Sequence, residues 1–391
     1  MKVLLAHARY AHPGGEERVV NTQDAVLTAL GHEIVRYEED NADLDVNGVG
    51  GKLRGAANSV WSRHARRRVA ALIAAERPDV VHVHNQFPSM SPSVYAAANA
   101  AGIPVVQHLH NARLVCIQPF LVRDDAPCTS CVGRLPLPGV IHACYRGSRP
   151  QSAVAATVQV THRALGTWRR RVDRFVAVSD ALADTMRASR VVPPDKLVVC
   201  HSGLDADPGA RTGPDDGYAL YVGRLSYEKG VDTIVDAAAL APDVRVLIAG
   251  EGPERGALER RVAEQNATNV SLLGHVERAR VFDLLRLARV VLAPSRGQEP
   301  FGMSVVEAAA VGVPAIAADA GGLREIVRHG ESGLLVPASD APALAAAMRQ
   351  MIEGDAAVAM GHAARGVYEQ HFTGAAFGQR LLDIYETLVH A

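Results

Sequence analysis

Short apolar segments alternate with longer amphipathic segments along the whole chain. The opening MKVLLAHARYAHPGGEERVVNTQDAVLTALGHEIVRYEE predicts a strand, a glycine-containing loop, an amphipathic helix and a second strand, which form one βαβ unit. Further strands are predicted in RPDVVHVHNQF, GIPVVQHLHN and RVDRFVAVSD. Because these strands are apolar along their whole length, they are typical of a parallel sheet covered by helices on both faces.

One segment rich in Pro, Gly and Asp interrupts this alternation. We interpret DADPGARTGPDDG, residues 205–217, as an interdomain linker. Strands recur after it in YALYVGRLS, VRVLIAG, NVSLLGHV, RVVLAPS, VPAIAAD and SGLLVP. The pattern predicts two doubly wound, Rossmann-like α/β domains that face a cleft, at residues 1–204 and 218–371. A C-terminal helix at residues 372–391 is expected to pack back toward the first domain.

Charge is distributed unevenly between the two halves of the chain. Residues 1–205 carry 24 Lys and Arg against 18 Asp and Glu, or +6, whereas residues 206–391 carry 17 against 24, or −7. The difference indicates different partners for the two domains, or else chance scatter over two solvated surfaces. With 48% hydrophobic and 21% charged residues, the chain is typical of a globular protein, and we expect no nucleic-acid partner.

The sequence indicates a cytoplasmic protein. The apolar start is broken at once by His7 and Arg9, which predicts a strand and not a signal peptide, and no apolar run reaches the roughly 20 residues of a membrane span. Five cysteines without a secretion signal fit a reducing compartment. The basic helical run WSRHARRR, residues 61–68, is either a solvated helix face or a contact with the anionic inner face of a membrane.

Two basic residues flank a predicted strand-to-helix loop in the second domain. In YVGRLSYEKGVDTIVDAAAL, Arg224 follows a strand and Lys229 precedes a helix. A lysine at this end of a helix is unfavourable, because the helix dipole there attracts anions. An anion such as a diphosphate between the two side chains and the first helical amides would remove the conflict.

The segment SRGQEPFGMSVVEAAAVGVP holds two glutamates eight positions apart. Glu299 lies in a loop before Gly302, and Glu307 lies in the helix predicted to begin near Met303 or Ser304. The first amides of that helix can donate hydrogen bonds to hydroxyl or phosphate oxygens. The two carboxylates could accept from two polyol portions of one ligand. Glu307 could instead lie on the helix surface, although its apolar neighbours argue against that.

These segments resemble the retaining nucleotide-sugar glycosyltransferases of family four, which have the GT-B fold. The resemblance is carried by GRLSYEKG, GEGPE, EPFGMSVVE and GVPAIAADAGGLREIV, with PGGEERVV near the start and FTGAAFGQRLLDIYETL near the end. It therefore covers nearly the whole chain. The E-x7-E arrangement alone is moderately specific, and its combination with GRLSYEKG is a strong signal.

The resemblance implies a donor site in the second domain. Arg224 and Lys229 would neutralise the donor diphosphate, and Glu307 would hold the nucleotide ribose. Glu299 would be catalytic, orienting the transferred sugar together with the amides of Gly302, Met303 and Ser304. The loop at Gly14 and Gly15 would approach the diphosphate from the first domain. Such enzymes need no divalent metal for transfer, which agrees with the lack of a D-x-D pair near the donor motifs.

Two histidines follow predicted strands of the first domain. VVHVHNQF and QHLHNARLVC place His84 and His110 at strand ends, where ligands of α/β sheets bind. The resemblance implies that His110 lies beside the reacting sugar as a catalytic residue, and His84 is an acceptor-side candidate. The alternative for each is a buried core histidine. No residue stands out as a covalent nucleophile, so we expect front-face displacement assisted by the leaving phosphate.

Four cysteines cluster in a turn-rich insertion at residues 116–144. Cys116, Cys128, Cys131 and Cys144 could close a tetrahedral structural zinc site, with C-x-x-C at its centre. Buried cysteines without metal, or a redox pair at Cys128 and Cys131, are the alternatives. Cys200 ends a predicted strand and is expected in the core.

The predicted activity is therefore transfer of a hexose-type sugar from a nucleoside-diphosphate donor to a hydroxyl of a glycan, a lipid-linked glycan or a small natural product. UDP is favoured over GDP only by its frequency among similar enzymes. The alternatives are a nucleotide-sugar epimerase on the same fold, a dinucleotide-dependent oxidoreductase and a non-enzymatic binding scaffold. The oxidoreductase is disfavoured because VRVLIAGEGPERG has the spacing G-x-G-x3-G, one residue longer than the dinucleotide fingerprint.

Overall fold

A computed structural model of the chain describes residues 1–10, 14–41, 48–124 and 126–390. The chain divides into two units. Unit 1 comprises Met1–Leu121, Thr129–Asp205 and Gly374–Ala391, and unit 2 comprises Val122–Cys128 and Ala206–Thr373. The predicted insertion at 116–144 is thus divided, because its residues Val122–Cys128 group with unit 2.

The first half of the chain alternates strands and helices. Its strands are β1 (Lys2–Arg9), β2 (Glu33–Asp40), β3 (Val80–Val83), β4 (Val105–Leu109), β5 (Val122–Arg123), β6 (Ala126–Pro127), β7 (Arg174–Ala177) and β8 (Leu197–Val199). Its helices are α1 (Gly15–Ala29), α2 (Gly48–Val60), α3 (Arg63–Glu76), α4 (Ser93–Ala100), α5 (Leu137–Ile141), α6 (Arg149–Ala164), α7 (Thr167–Arg171) and α8 (Asp180–Ser189).

Unit 1 contains one parallel sheet with the strand order β2-β1-β3-β4-β7-β8. Strands β3 and β4 are buried along their whole length, as their continuous apolar pattern predicts. The order of the strands reverses between β1 and β3, which places the loops after these two strands at a topological switch point. The short strands β5 and β6, whose residues group with unit 2, form a separate antiparallel pair.

The second half of the chain repeats the alternation. Its strands are β9 (Tyr218–Val222), β10 (Val246–Ala249), β11 (Val270–Gly274), β12 (Ala288–Ala293), β13 (Ala315–Ala318) and β14 (Gly333–Val336). Its helices are α9 (Val231–Leu240), α10 (Arg255–Glu264), α11 (Arg278–Leu287), α12 (Met303–Ala310), α13 (Leu323–Ile326), α14 (Ala341–Glu353), α15 (Ala356–His371) and α16 (Gly374–Val389), the last of which belongs to unit 1.

Unit 2 also contains one parallel sheet, with the order β11-β10-β9-β12-β13-β14. This is the order of the dinucleotide-binding folds, and its switch point lies between β9 and β12. Strands β9, β10 and β13 are buried at every position. The predicted fold class of two doubly wound parallel-sheet domains is therefore confirmed.

The last helix, α16, contributes to the core of unit 1. Phe377, Leu381 and Tyr385 on this helix have exposures of 0%. The Tyr385 hydroxyl lies 2.6 Å from Nδ1 of His82 in β3 and accepts a 2.7 Å hydrogen bond from Nε2 of Gln23 in α1. A residue near the end of the chain thereby contacts the centre of the N-terminal sheet.

The basic run at residues 61–68 forms the start of α3. Its residues Ala65 and Val69 are buried, whereas the side chains of Arg63 and of residues 66–68 are exposed. Within the part of the chain that the structure describes, no helix has the length and apolarity needed to cross a bilayer.

Candidate functional site

The switch point of unit 2 brings two distant loops together. Strands β9 and β12 are parallel neighbours, so their carboxyl ends lie at the same edge of the sheet. The chain leaves β9 through Arg224 and a 3-10 turn, Tyr227–Lys229. It leaves β12 through a loop that contains Ser295 and Glu299. The predicted basic residues and the first predicted glutamate therefore share this edge.

Lys229 and Glu299 form an ion pair at this edge. The Lys229 Nζ atom donates to both carboxylate oxygens of Glu299, at 2.8 Å each, and the Ser295 hydroxyl donates to one of them at 2.6 Å. Burial by itself would raise the pKa of Glu299, but the charge of Lys229 and these hydrogen bonds outweigh it and leave the pKa below its ordinary value. Glu299 is thus an anion with a fixed orientation.

Arg224 has a different environment from Lys229. Its backbone carbonyl accepts a 2.8 Å hydrogen bond from the Tyr221 hydroxyl, which fixes the turn. Its side chain is exposed and makes no hydrogen bond or ion pair with the other described residues. Arg224 and Lys229 are predicted to bind one anion between them. In the structure the Lys229 ammonium group is already paired with Glu299, whereas Arg224 is not.

Gly302 forms the start of α12. Its φ of +114° lies in the left-handed region, and a Cβ atom here would lie 2.7 Å from a methyl carbon of Leu323. Its carbonyl accepts from Val305 at 2.9 Å. The amides of Gly302, Met303 and Ser304 donate to no acceptor among the described residues. A helix N-terminus with three such amides can bind negatively charged or hydroxyl oxygens.

Glu307 lies one turn further along α12 and is 1% exposed. It is therefore not the surface residue of the alternative interpretation. Its burial within the helix that begins beside Glu299 agrees with the position expected for the second glutamate.

A glycine pair after β13 fixes the backbone of Glu299. The Gly322 amide donates to the Glu299 carbonyl at 2.8 Å. A Cβ atom at Gly321 would lie 2.3 Å from that same oxygen, so only glycine allows this approach. Ser295, Gly321 and Gly322 therefore belong to the site of Glu299. The sequence analysis did not identify these three residues. The signals were a polar residue two positions after a buried strand and a Gly-Gly dipeptide between a strand and a helix.

The glycine-rich GEGPE segment packs against the loop after β9. The Leu225 amide donates to the Glu251 carbonyl at 2.9 Å, and the Glu254 amide donates to the Leu225 carbonyl at 3.1 Å. These hydrogen bonds fix the GEGPE backbone beside the carboxyl end of β9.

Gly14 and Gly15 lie at the start of α1, beyond the carboxyl end of β1. Gly14 is the N-cap residue, and its amide donates to Glu17 at 2.7 Å. Glu17 also accepts from the Tyr10 amide at 2.9 Å. Residues 11–13, which precede Gly14 in this loop, lie outside the described residues. The contact of Gly14 and Gly15 with a diphosphate stays a prediction.

The histidines predicted at strand ends belong to a larger buried cluster. Strands β3 and β4 place His82, His84, His108 and His110 on one face, where their rings stack with centroids 4.4–5.2 Å apart. His84 Nδ1 lies 2.8 Å from His110 Nε2. The sequence analysis identified His84 and His110 only. It did not predict which strands pair, and so it missed that His84 and His108 are neighbours.

All four histidines are kept neutral by their surroundings. Burial lowers the pKa of His108 to about 3 and lowers the pKa of His82, His84 and His110 well below the ordinary value. One nitrogen from each of His82, His84 and His108 lies within 4.8 Å of the other two. The lone pairs of nearly parallel stacked rings do not point at a common centre, so this geometry is unfavourable for a metal ion.

The four clustered cysteines are half-buried. Burial raises the pKa of the Cys116 thiol to about 12, although backbone amides of Gln118 and Leu121 lower it in part. Among the described residues, the sets of ligand atoms within 4.8 Å of one another do not include these sulfur atoms. The zinc site stays a prediction. Cys200 is buried in the core, as expected.

Comparison with known proteins gives two consecutive family matches. Residues 13–208 match the model described as Glycosyltransferase Family 4, and residues 208–367 match the model described as Glycosyl transferases group 1. The second match contains the whole Lys229 and Glu299 site.

Two curated relatives match most of the chain. A D-inositol 3-phosphate glycosyltransferase of Catenulispora acidiphila is 31% identical, over 80% of this chain and 72% of that protein. A glycogen synthase of Mycobacterium tuberculosis is 28% identical, over 91% of this chain and 87% of that protein.

A solved structure shares the fold. The Anabaena HepE protein in complex with UDP-glucose is 20% identical and superposes with a TM-score of 0.71, covering 99% of this chain and 100% of that one.

Proposed function

Because the chain belongs to the family 4, group 1 glycosyltransferases, we propose that it moves a hexose-type sugar from a nucleoside-diphosphate donor to an acceptor hydroxyl, with retention of configuration. The acceptor is a glycan, a glycolipid or a small natural product. The observation that carries this proposal is the Lys229–Glu299 pair, which lies at the switch point beside the first turn of α12.

The donor binds at this edge of unit 2. Arg224, whose guanidinium is exposed, contacts the diphosphate, and Lys229 adds a second positive charge between the diphosphate and Glu299. Glu307 holds the ribose. UDP is the favoured nucleotide, which is supported by the HepE complexes with UDP and UDP-glucose.

The sugar is oriented by one acceptor and three donors of hydrogen bonds. Ionised Glu299 accepts from sugar hydroxyls, and the amides of Gly302, Met303 and Ser304 donate to sugar or phosphate oxygens. These groups are fixed before the donor binds, so little freedom is lost on forming the reactive geometry.

Transfer proceeds by front-face displacement. The acceptor oxygen attacks the face of the anomeric carbon from which the diphosphate leaves, and the departing phosphate oxygen accepts the hydroxyl proton. Lys229, Arg224 and the α12 amides stabilise the negative charge that develops on the leaving group, so no divalent metal is required.

His110 acts as a neutral hydrogen-bonding group beside the sugar. Its pKa is lowered by burial, so it does not supply a positive charge at neutral pH. The 2.8 Å contact with His84 Nδ1 fixes the orientation of its ring. His84 therefore acts on the reaction through His110 as well as on the acceptor side.

Ligand-dependent thermal unfolding tests the donor site. The melting temperature is measured with UDP, GDP, ADP, TDP and NADPH separately, because a ligand of the native state raises it by mass action. We expect a rise with UDP, and release of UDP from UDP-glucose in the presence of an acceptor. A rise with NADPH alone would overturn the proposal, and so would conversion of the donor to an epimer without transfer.

A further inference from the structure

We infer that unit 1 contains a subsite for an oxyanion, a phosphate or carboxylate group, centred on Arg113, and that this oxyanion belongs to the acceptor. The inference rests on the proposed function, since only a transferase has an acceptor. It defines the acceptor class as hydroxyl compounds that carry an anionic group.

The subsite is a cavity of about 60 Å3 within unit 1. Its lining includes His84, Gln86, Phe87, His110, Arg113 and Trp168. A bound water needs roughly 10–15 Å3 by the same measure, so the cavity has room for a small polar group. A phosphate or carboxylate has this size, whereas a complete hexose would extend out of the cavity.

Arg113 is a half-buried cation that forms no ion pair with the other described residues. Its guanidinium carbon lies 5.0 Å from the ring centre of Phe87 and 5.6 Å from that of Tyr145. The Nε and Nη1 atoms are buried and find no hydrogen-bond acceptor among the described residues.

The carboxylates near Arg113 do not compensate its charge directly. No described carboxylate lies within 4.0 Å of the guanidinium. Glu16 lines the same cavity and its charge acts on Arg113. Its carboxylate, however, accepts hydrogen bonds from Asn111 and from the Tyr10 hydroxyl, and Tyr10 is also a hydrogen-bond partner of Arg113. Buried charges in proteins are normally paired, because an unpaired one loses its hydration without compensation. An anion bound in the cavity would pair directly with the Nε and Nη1 atoms, which Glu16 does not contact.

Trp168 independently indicates a ligand with hydrogen-bond acceptors. This residue is 2% exposed, lines the same cavity, and its indole Nε1 has no partner in the described chain. An indole N–H can only donate. Arg113 and Trp168 together therefore present donors to one small space, and an oxyanion satisfies all of them.

Gln86 provides a hydrogen-bond acceptor for a hydroxyl group of the ligand. Gln86 is 8% exposed and lines the cavity, and its Oε1 atom accepts no hydrogen bond from the described residues. A hydroxyl group next to the oxyanion would supply that donor. Water could satisfy the hydrogen bonds of Gln86 and Trp168, but water would not balance the charge of Arg113.

Fluorescence of Trp168 provides a local probe. The sequence has one other tryptophan, Trp61, so the Trp61→Phe variant of the full chain reports on the cavity alone. This variant is titrated with inorganic phosphate, and with chloride at equal ionic strength. We expect a saturable change with phosphate and none with chloride.

Substitutions of Arg113 distinguish the contribution of its charge to phosphate binding from that of its packing. In the Trp61→Phe background, Arg113→Met should weaken phosphate binding at least tenfold, and Arg113→Lys should retain part of it. Arg260→Met, which alters an exposed arginine on α10, should leave it unchanged. Trp168→Phe removes the N–H donor together with part of the ring, and it should weaken binding when it is measured by calorimetry. Thermal unfolding of each variant establishes that it is folded.

Three results would overturn the subsite: no saturable phosphate binding, equal affinity in the Arg113→Met and parent proteins, or competition between UDP and phosphate for the Trp168 signal. The last result would identify the oxyanion as the diphosphate of the donor. UDP binding to the wild-type protein is measured in parallel. If UDP binds and phosphate does not, only the subsite fails; if UDP does not bind, the proposed function fails.

Discussion

The ammonium nitrogen of Lys229 lies 2.8 Å from both carboxylate oxygens of Glu299, although the two residues are 70 positions apart. Two neighbouring parallel strands, β9 and β12, bring them together. The resemblance assigns Lys229 to the diphosphate and Glu299 to the sugar. The pair shows that each residue also fixes the other, so substitution of one alters both.

Separate and combined substitutions should reveal this coupling. Lys229→Met leaves the Glu299 carboxylate, which is 12% exposed, with Ser295 as its remaining donor, and should lower the free energy of unfolding by about 1–3 kcal/mol. Glu299→Gln should have a similar effect and should reduce transfer at least about 100-fold. The double variant should be more stable than the sum of the two losses predicts. Urea denaturation measures these values, and strictly additive losses would contradict the coupling.

Arg224 should matter for the donor and not for the fold. Its exposed side chain has no partner among the described residues, so Arg224→Met should change the free energy of unfolding by less than about 0.5 kcal/mol. Loss of a hydrogen bond to a charged group, worth about 1.5–3 kcal/mol, should weaken UDP binding roughly 10- to 100-fold. Calorimetric titration with UDP measures the effect, and Arg260→Met is the matched control. Unchanged affinity in Arg224→Met would contradict its assigned role.

Gly302 should not tolerate a side chain. Gly302→Ala forces a left-handed φ on alanine and places its Cβ atom against Leu323, so we expect a loss of about 1–3 kcal/mol in unfolding free energy and a loss of transfer. Gly366→Ala is the control, because this glycine lies within α15 with no atom within 4 Å of the added Cβ. That substitution should stabilise the protein by about 0.5–1 kcal/mol. Thermal unfolding measures the effect of each substitution. Equal effects would show that the left-handed backbone at Gly302 is not the cause of the loss.

The buried histidines should make the protein sensitive to acid. Their folded-state pKa values are lowered, so the unfolded chain binds more protons as the pH falls below about 6.5, and stability decreases. For His108 the loss continues down to its folded pKa of about 3. Between pH 7 and pH 5.5 each such histidine should cost about 1 kcal/mol.

Urea denaturation at several pH values measures this dependence. His108→Gln should flatten the slope of stability against pH, whatever its effect on stability at pH 7. His275→Gln, which alters an exposed histidine, should leave the slope unchanged. A slope that is the same in wild type and His108→Gln would exclude the histidine cluster as its cause.

The sequence predicts the sheets and the position of the main site, because both depend on local patterns. Continuous apolar runs such as VVHV and YALYV identify the buried strands, and polar residues directly after strands identify the binding edge. What the patterns do not contain is the pairing between strands. The Lys229–Glu299 contact and the stacking of His84 on His108 both depend on which strands are neighbours.

The role proposed for Arg113 could not be predicted from the sequence either. A single arginine in a loop has no periodicity and no motif that distinguishes it from a solvated residue. Its significance comes from the two aromatic rings that contact it and from its Nε and Nη1 atoms, which have no acceptor among the described residues. Burial of this kind is produced by residues far apart in sequence, so it becomes visible only in the folded chain.

The position of α16 has a consequence for synthesis of the protein. Tyr385, which contacts His82 and Gln23 in unit 1, is translated 180 positions after the stretch of unit 1 that ends at Asp205. At roughly 5–20 residues per second, the ribosome needs on the order of ten seconds or more to add that interval. During this time the nascent N-terminal sheet lacks one of its covering helices. Unit 2 can therefore finish folding first, and unit 1 is completed only when α16 has emerged.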